Sequence, residues 1–188
     1  MEEKEETKKL LDYYRNFLSE KIGKENPAVP LVNDEGKLIF DDQRWVLMNV
    51  KYFPGYTIKS IQEIVGPIAK EFFYWFGYAY GIQSAEEYLK AGIPKEYILP
   101  FAFAIRALYA GWGVAKIYEV DYEKPYLKMT VFNNFETESA KYAGLEPDFK
   151  LSAGYVAGLF SKLTGKKIRA SEKLSEDGHF IAEFFAKD

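Results

Sequence analysis

One histidine and no cysteine leave this chain of 188 residues a short inventory for nucleophilic or metal chemistry. His179 stands beside Asp177 and four residues after Ser175, so the residue types of a hydrolytic triad are present. A polar turn around Gly178 is expected to hold them in solvent instead. Glu86 with Glu87, Glu136 with Glu138, and Glu176 with Asp177 read as solvated surface charge, not acid–base pairs. The TGKK at 164–167 lacks the upstream glycine and following hydroxyl of a phosphate loop. Gly111-Trp112-Gly113 precedes a strand-like run and has Lys116 where a dinucleotide fingerprint requires glycine. No catalytic residue, metal or cofactor is therefore expected.

The inventory is rich in rings. With 15 Phe, 15 Tyr and 3 Trp the chain carries more aromatic surface than ordinary packing demands, which suits either a stiff core or an aromatic-lined cavity. Phe72, Phe76 and Tyr80 recur at spacing four and share one helix face. With Phe103, Trp112 and Tyr155 from neighbouring segments they form the candidate ligand-binding set. A flat apolar ligand would stack against these rings, oriented by a Tyr hydroxyl or the indole N–H.

The elements that must position them are legible from periodicity. Residues 7–22 read as an amphipathic helix with Leu11, Tyr14, Leu18 and Ile22 on one stripe, ending at Gly23. Leu31-Val32 and Leu38-Ile39-Phe40 resemble a short hairpin around 33–36. Residues 44–50 read as a central strand, apolar on both faces. From Ile58 through Ile61, Val65, Ile68, Phe72, Trp75 and Ala79 to Ile82, apolar residues at alternating threes and fours predict a packing seam across a short and a long helix. Pro100 is expected to kink or restart the next helix. Residues 114–121 and 126–133 alternate across a turn, as do the runs either side of 175–178, predicting two antiparallel hairpins. The polar stretch 134–147 reads as a mobile rim loop. Between the hairpins lies a small-residue helix, where Gly154 and Gly158 share a face that lets another backbone or a flat ligand approach, and Gly165 caps its end.

This order of elements resembles the 4-vinyl-reductase, or hydrocarbon-binding, domain over roughly 44–185. Its most specific pieces are Gly111-Trp112-Gly113, the helix from Ala153-Gly154 to Thr164-Gly165, and the turn and strand 178–184. The resemblance implies an α+β fold with helices packed on an antiparallel sheet, akin to vesicle-tethering subunits, and commonly a dimer enclosing a pocket. Relatives sense phenol- or toluene-like effectors or are linked to vinyl reduction. They usually carry three cysteines that can hold zinc. The matching positions here are Phe149, Leu174 and Ala182, all apolar, so apolar packing is expected in place of a metal.

The reading is thus a single α+β domain, 44–188, preceded by a helix and hairpin arm at 1–43 that either covers its own domain or crosses a partner subunit. With a net charge of -3 and no basic face, neither nucleic acid nor a membrane is an expected partner. The apolar runs are too short for a span, and no secretory signal is read in the charged first residues, so a soluble cytoplasmic protein is expected. The expected function is non-catalytic binding of an apolar or aromatic small molecule by a homodimer. The alternatives are a scaffold related to tethering subunits, or a reductase subunit.

Overall fold

Glycine decides how the helices meet. The structure is a computed structural model that describes residues 2–23, 38–40, 43–175 and 178–186. In it the long helix α3 (Ala69–Lys90) lies against α6 (Lys150–Thr164) through four glycines. A Cβ on Gly77 would stand 2.1 Å from the Leu151 carbonyl oxygen, and one on Gly81 2.0 Å from that of Tyr155. Reciprocally, a Cβ on Gly154 or Gly158 would stand 1.9 Å from the Tyr74 or Tyr78 carbonyl oxygen. The paired positions advance together, so the two helices run parallel with their backbones in contact. Of the two occupants expected on the glycine face, another backbone or a flat ligand, it is the backbone that takes it: each helix fills the other's missing side chains.

On its other side α6 meets the sheet, and it is buried almost all round, which suits its near-continuous small and apolar sequence. Strands β3 (Val114–Asp121), β4 (Tyr126–Phe132), β5 (Ile168–Leu174) and β6 (Phe180–Ala186) form one antiparallel sheet in the order β3-β4-β6-β5. Both expected hairpins are present, and they join through β4 and β6, with Met129 opposite Ala182. Leu127, Met129, Ala182 and Phe184 point into the core with Leu159, Phe160 and Ile168. The fold is α+β in a single domain, with helices on one face of the sheet.

The first helix, α1 (Glu2–Phe17), continues through a π-helical turn to Gly23 and packs on its own chain. Its Tyr14 hydroxyl donates to the Ala115 carbonyl, and Phe17 sets its ring edge-on to Tyr97 of α4 (Lys95–Ile105). Pro100 sits inside α4 without ending it. Short strands β1 (Leu38–Phe40) and β2 (Gln43–Trp45) pair with each other, so Leu38 finds a different partner from the one expected, and Leu31-Val32 lies outside the described residues.

Three expectations are corrected. The strand over 44–50 stops at Trp45, and Val46, Leu47 and Met48 are exposed, because no sheet neighbour reaches them. The stretch 134–147 contains a helix, α5 (Phe135–Ala143), whose Asn134 side chain caps the Glu136 and Thr137 N–H groups and whose end is Gly144 in the left-handed conformation. The seam through α2 (Gly55–Val65) and α3 is buried only at its start: Ile58 is in the core, but Val65, Ile68, Phe72, Trp75 and Ala79 face outward. The opposite face of α3, with Phe73, Tyr74, Gly77, Gly81, Ser84 and Ala85, is the buried one.

Of the three positions at which the resemblance would place cysteine, Phe149 and Ala182 are core residues, and Phe149 stacks on Phe180 at 5.1 Å. Leu174 is exposed near the end of β5, so apolar packing replaces the expected cysteines at two positions and not at the third.

Candidate functional site

The chain enters the site through a π-helical turn, Arg106–Ala110, that leaves α4 and ends at Gly111, whose positive φ reverses the backbone. Trp112 follows, its N–H donating to the Arg106 carbonyl. At Gly113 a Cβ would stand 2.7 Å from the Phe132 carbonyl oxygen, so only glycine lets the turn press against the end of β4. The Trp112 carbonyl then accepts from the Phe135 N–H at the start of α5 and from the Asn134 amide. The two glycines and the α5 cap thereby aim one indole between α3, α5 and α6.

That indole is the centre of a ring cluster. Tyr80 from α3 lies 6.1 Å from it, Tyr155 from α6 5.6 Å, and Phe135 from α5 5.2 Å. Under the cluster sits Arg106, only 5% exposed, with its guanidinium carbon 4.5 Å from the Tyr155 ring, 4.9 Å from Tyr80 and 5.0 Å from Trp112. Each such cation–ring contact contributes about 0.5 to 2 kcal/mol, which helps to offset burying the charge.

Two cavities flank Trp112. The outer one, of about 330 Å³, is walled by Trp45, Val46, Leu47, Met48, Phe53, Tyr80, Trp112 and Phe135. The inner one, of about 30 Å³, lies between α6 and the sheet, beside Phe103, Arg106, Trp112, Met129, Phe149 and Tyr155. Benzene occupies a cavity of roughly 150 Å³, and a single water takes roughly 30 Å³. The outer space therefore admits a ring, whereas the inner one, as it stands, admits a water.

Of the six residues expected to bind ligand, Tyr80, Trp112 and Tyr155 come together in the cluster, and Phe103 lines the inner cavity. Phe72 and Phe76 do not join them. They stand 57% and 62% exposed on the outer face of α3 and line neither cavity, because Tyr80 occupies the edge of that face and the helix turns the other two away. Trp45, expected in a strand core, lines the outer cavity instead.

The sequence reading missed Arg106, Phe53 and Phe135. Arg106 had a signal: a lone cation inside the apolar run FAFAIRALYAGW. Glu136 was misread as surface charge. It is fully buried at the start of α6, where its carboxyl accepts from the Leu151 and Ser152 N–H groups and from the Ser152 hydroxyl. Burial pushes it up to about 8, against the lowering effect of those bonds. The His179 ring packs 4.8 Å from Phe132, half-buried, and Asp177 lies outside the described residues. No group of three or more His, Cys, Asp or Glu suited to a metal ion occurs among the described residues.

Comparison with solved structures gives the fold a precedent. The chain is similar to the phenol-responsive sensory domain of the transcription activator PoxR, solved with phenol, at 21% identity and a TM-score of 0.71, over 92% of this chain and 89% of that one. It also aligns with a trafficking protein particle complex subunit 3 from Naegleria fowleri, covalently bound to palmitic acid, at 12% identity and a TM-score of 0.44, over 73% of this chain and 95% of that one. No protein-family model and no curated protein matches the chain. The likeness is one of fold. Among the described residues no helix is long and apolar enough to cross a membrane.

Proposed function

We propose that this chain is a small-molecule sensor domain of the hydrocarbon-binding kind, which holds an aromatic ligand beside Trp112 without transforming it. The observation that carries this reading is the outer cavity: about 330 Å³, ring-walled, and large enough for a phenol-sized body. The fold it shares with a domain solved with phenol supports the same choice. Tyr80 and Trp112 remain the proposed contacts, joined by Phe53 and Phe135, while Phe103 and Tyr155 line the water-sized inner space behind Trp112. Phe72 and Phe76 leave the site.

The exposed apolar stripe Ile68, Phe72, Trp75, Phe76 on α3 supports the second part of the reading, a homodimer formed through that face. The same stripe favours the scaffold reading if the cavity proves empty of function. Absence of cysteine and of a basic face fits a cytoplasmic protein that binds neither nucleic acid nor lipid surface.

The test is a thermal-shift titration with phenol, toluene and 4-ethylphenol alongside glycerol as a polar control. Any aromatic at 100 times its Kd stabilises the fold by ~2.7 kcal/mol, raising Tm measurably, while glycerol does not. An unmoved Tm across aromatics contradicts ligand binding and favours the scaffold.

A further inference from the structure

A buried positive charge without a counter-ion singles out the chemistry of the ligand. Arg106 stays charged throughout the accessible pH range, and it lies 5% exposed beneath Trp112. Among the described residues none of the ion pairs involves it. Its polar surroundings are the hydroxyls of Tyr80, Tyr88 and Tyr155. Burial holds the first two protonated, so they bring dipoles and no negative charge. The three rings around the guanidinium attract a cation through their quadrupoles yet leave the site's net charge at plus one.

Two donors here are unused. The Nε–H of Arg106 is buried with no acceptor, and the Tyr155 hydroxyl, near that of Tyr88, satisfies hydrogen-bond geometry with no partner. Both residues line the inner cavity, and Trp112 is shared by the inner and outer cavities. Because the inner space as it stands admits a water, a head group coming from the outer cavity has to displace the Trp112 ring, and it then meets a guanidinium and a phenol hydroxyl together.

We propose, building on the sensor reading, that the ligand is an aromatic or short apolar carboxylate whose head pairs with Arg106 and whose body fills the outer cavity. A carboxylate supplies two acceptor oxygens and the missing negative charge, and a planar guanidinium recognises it in two-point fashion. A neutral phenol or hydrocarbon of the same shape supplies only the body. Breaking the pair leaves the charge buried and unpaired again, and from this the discrimination follows. Arg106 rejects neutral isosteres as well as attracting the acid.

The test uses the full chain at pH 7 with pairs of the same shape, one charged and one neutral: 4-ethylbenzoate against 4-ethylbenzamide, and phenylacetate against phenylacetamide, titrated by calorimetry. In at least one pair the carboxylate is expected to bind at least about tenfold tighter than the amide. Arg106→Gln removes that preference, and Arg106→Lys, which keeps the charge but loses the fork, retains part of it. Equal affinity within every pair, or a preference that survives Arg106→Gln, overturns the proposal while the sensor reading stands on the amides' binding. Failure of both acids and amides to bind, with phenol also silent, removes the two readings together. Should Arg106→Gln not fold, the wild-type pairs and Arg106→Lys decide.

Discussion

The two faces of α3 are built from opposite materials. Inward stand Gly77, Gly81, Ser84 and Ala85, with Phe73 and Tyr74 at one end, pressed onto the α6 backbone. Outward stand Phe72, Trp75 and Phe76, all exposed. From Gly77 onward the smaller residues are in the core, and the rings of the outer face stand in solvent. Small side chains bury a helix deeply because they let backbones touch, and dispersion across a close backbone contact substitutes for bulk. For the large rings left outside, the use proposed above is a homodimer face.

The largest expected effect comes from spoiling the inner face. Gly154→Ala or Gly158→Ala drives a methyl into a carbonyl that belongs to a rigid helix and cannot step aside. Each should lower unfolding free energy by at least about 3 kcal/mol, beyond ordinary overpacking. Ala79→Ser, on the outer face, should stay within about 0.5 kcal/mol. Urea denaturation measures both, and similar losses at the two faces would show that the seam is looser than described.

Next is the pH dependence of the seam's lower end, where Glu136 caps α6. In the unfolded chain its carboxyl titrates near 4.5, and in the fold burial raises this to about 8. A raised folded value means that the fold binds the proton more tightly. Its stability contribution is complete below about pH 4.5 and is lost as pH rises through about 8. The wild type should therefore lose on the order of a few kcal/mol between pH 5 and pH 8 from this group. Glu136→Gln should flatten the curve, and parallel curves for the two proteins would remove the buried proton from the account.

The smallest effect on stability, and the one that sharpens the contrast most, is on the outer face. Phe76→Asp should change monomer stability by about 0.5 kcal/mol or less, yet native mass should shift from dimer to monomer. An unchanged mass distribution would leave the exposed rings without the use assigned to them.

How far the sequence carried these conclusions varied with the kind of signal. The hairpins were legible because strand alternation and turn residues agree, as at 122–125. The α6 helix and its Gly165 stop were legible for the same reason, and its glycines correctly signalled that a backbone comes close. The outer face of α3 misled because apolar periodicity reports a stripe without saying what covers it. Helix α5 was passed over although Asn134, Glu136, Lys141 and Gly144 mark its cap, first turn, last turn and stop. Polar composition outweighed those marks. At the candidate site, the meeting of Tyr80, Trp112 and Tyr155 was legible in their ring chemistry, whereas Arg106 was missed because a cation in an apolar run has meaning only when the fold shows no carboxylate beside it.

The central claim, an aromatic ligand beside Trp112, is tested most directly by titrating 4-ethylphenol into Trp112→Ala and Trp75→Ala. Trp112 walls both cavities, and Trp75 lies on the outer face away from them. Compared with wild type at matched folded fraction, Trp112→Ala should weaken binding by about tenfold or more, and Trp75→Ala should leave it unchanged. Equal losses, or a greater loss at Trp75, would contradict the account.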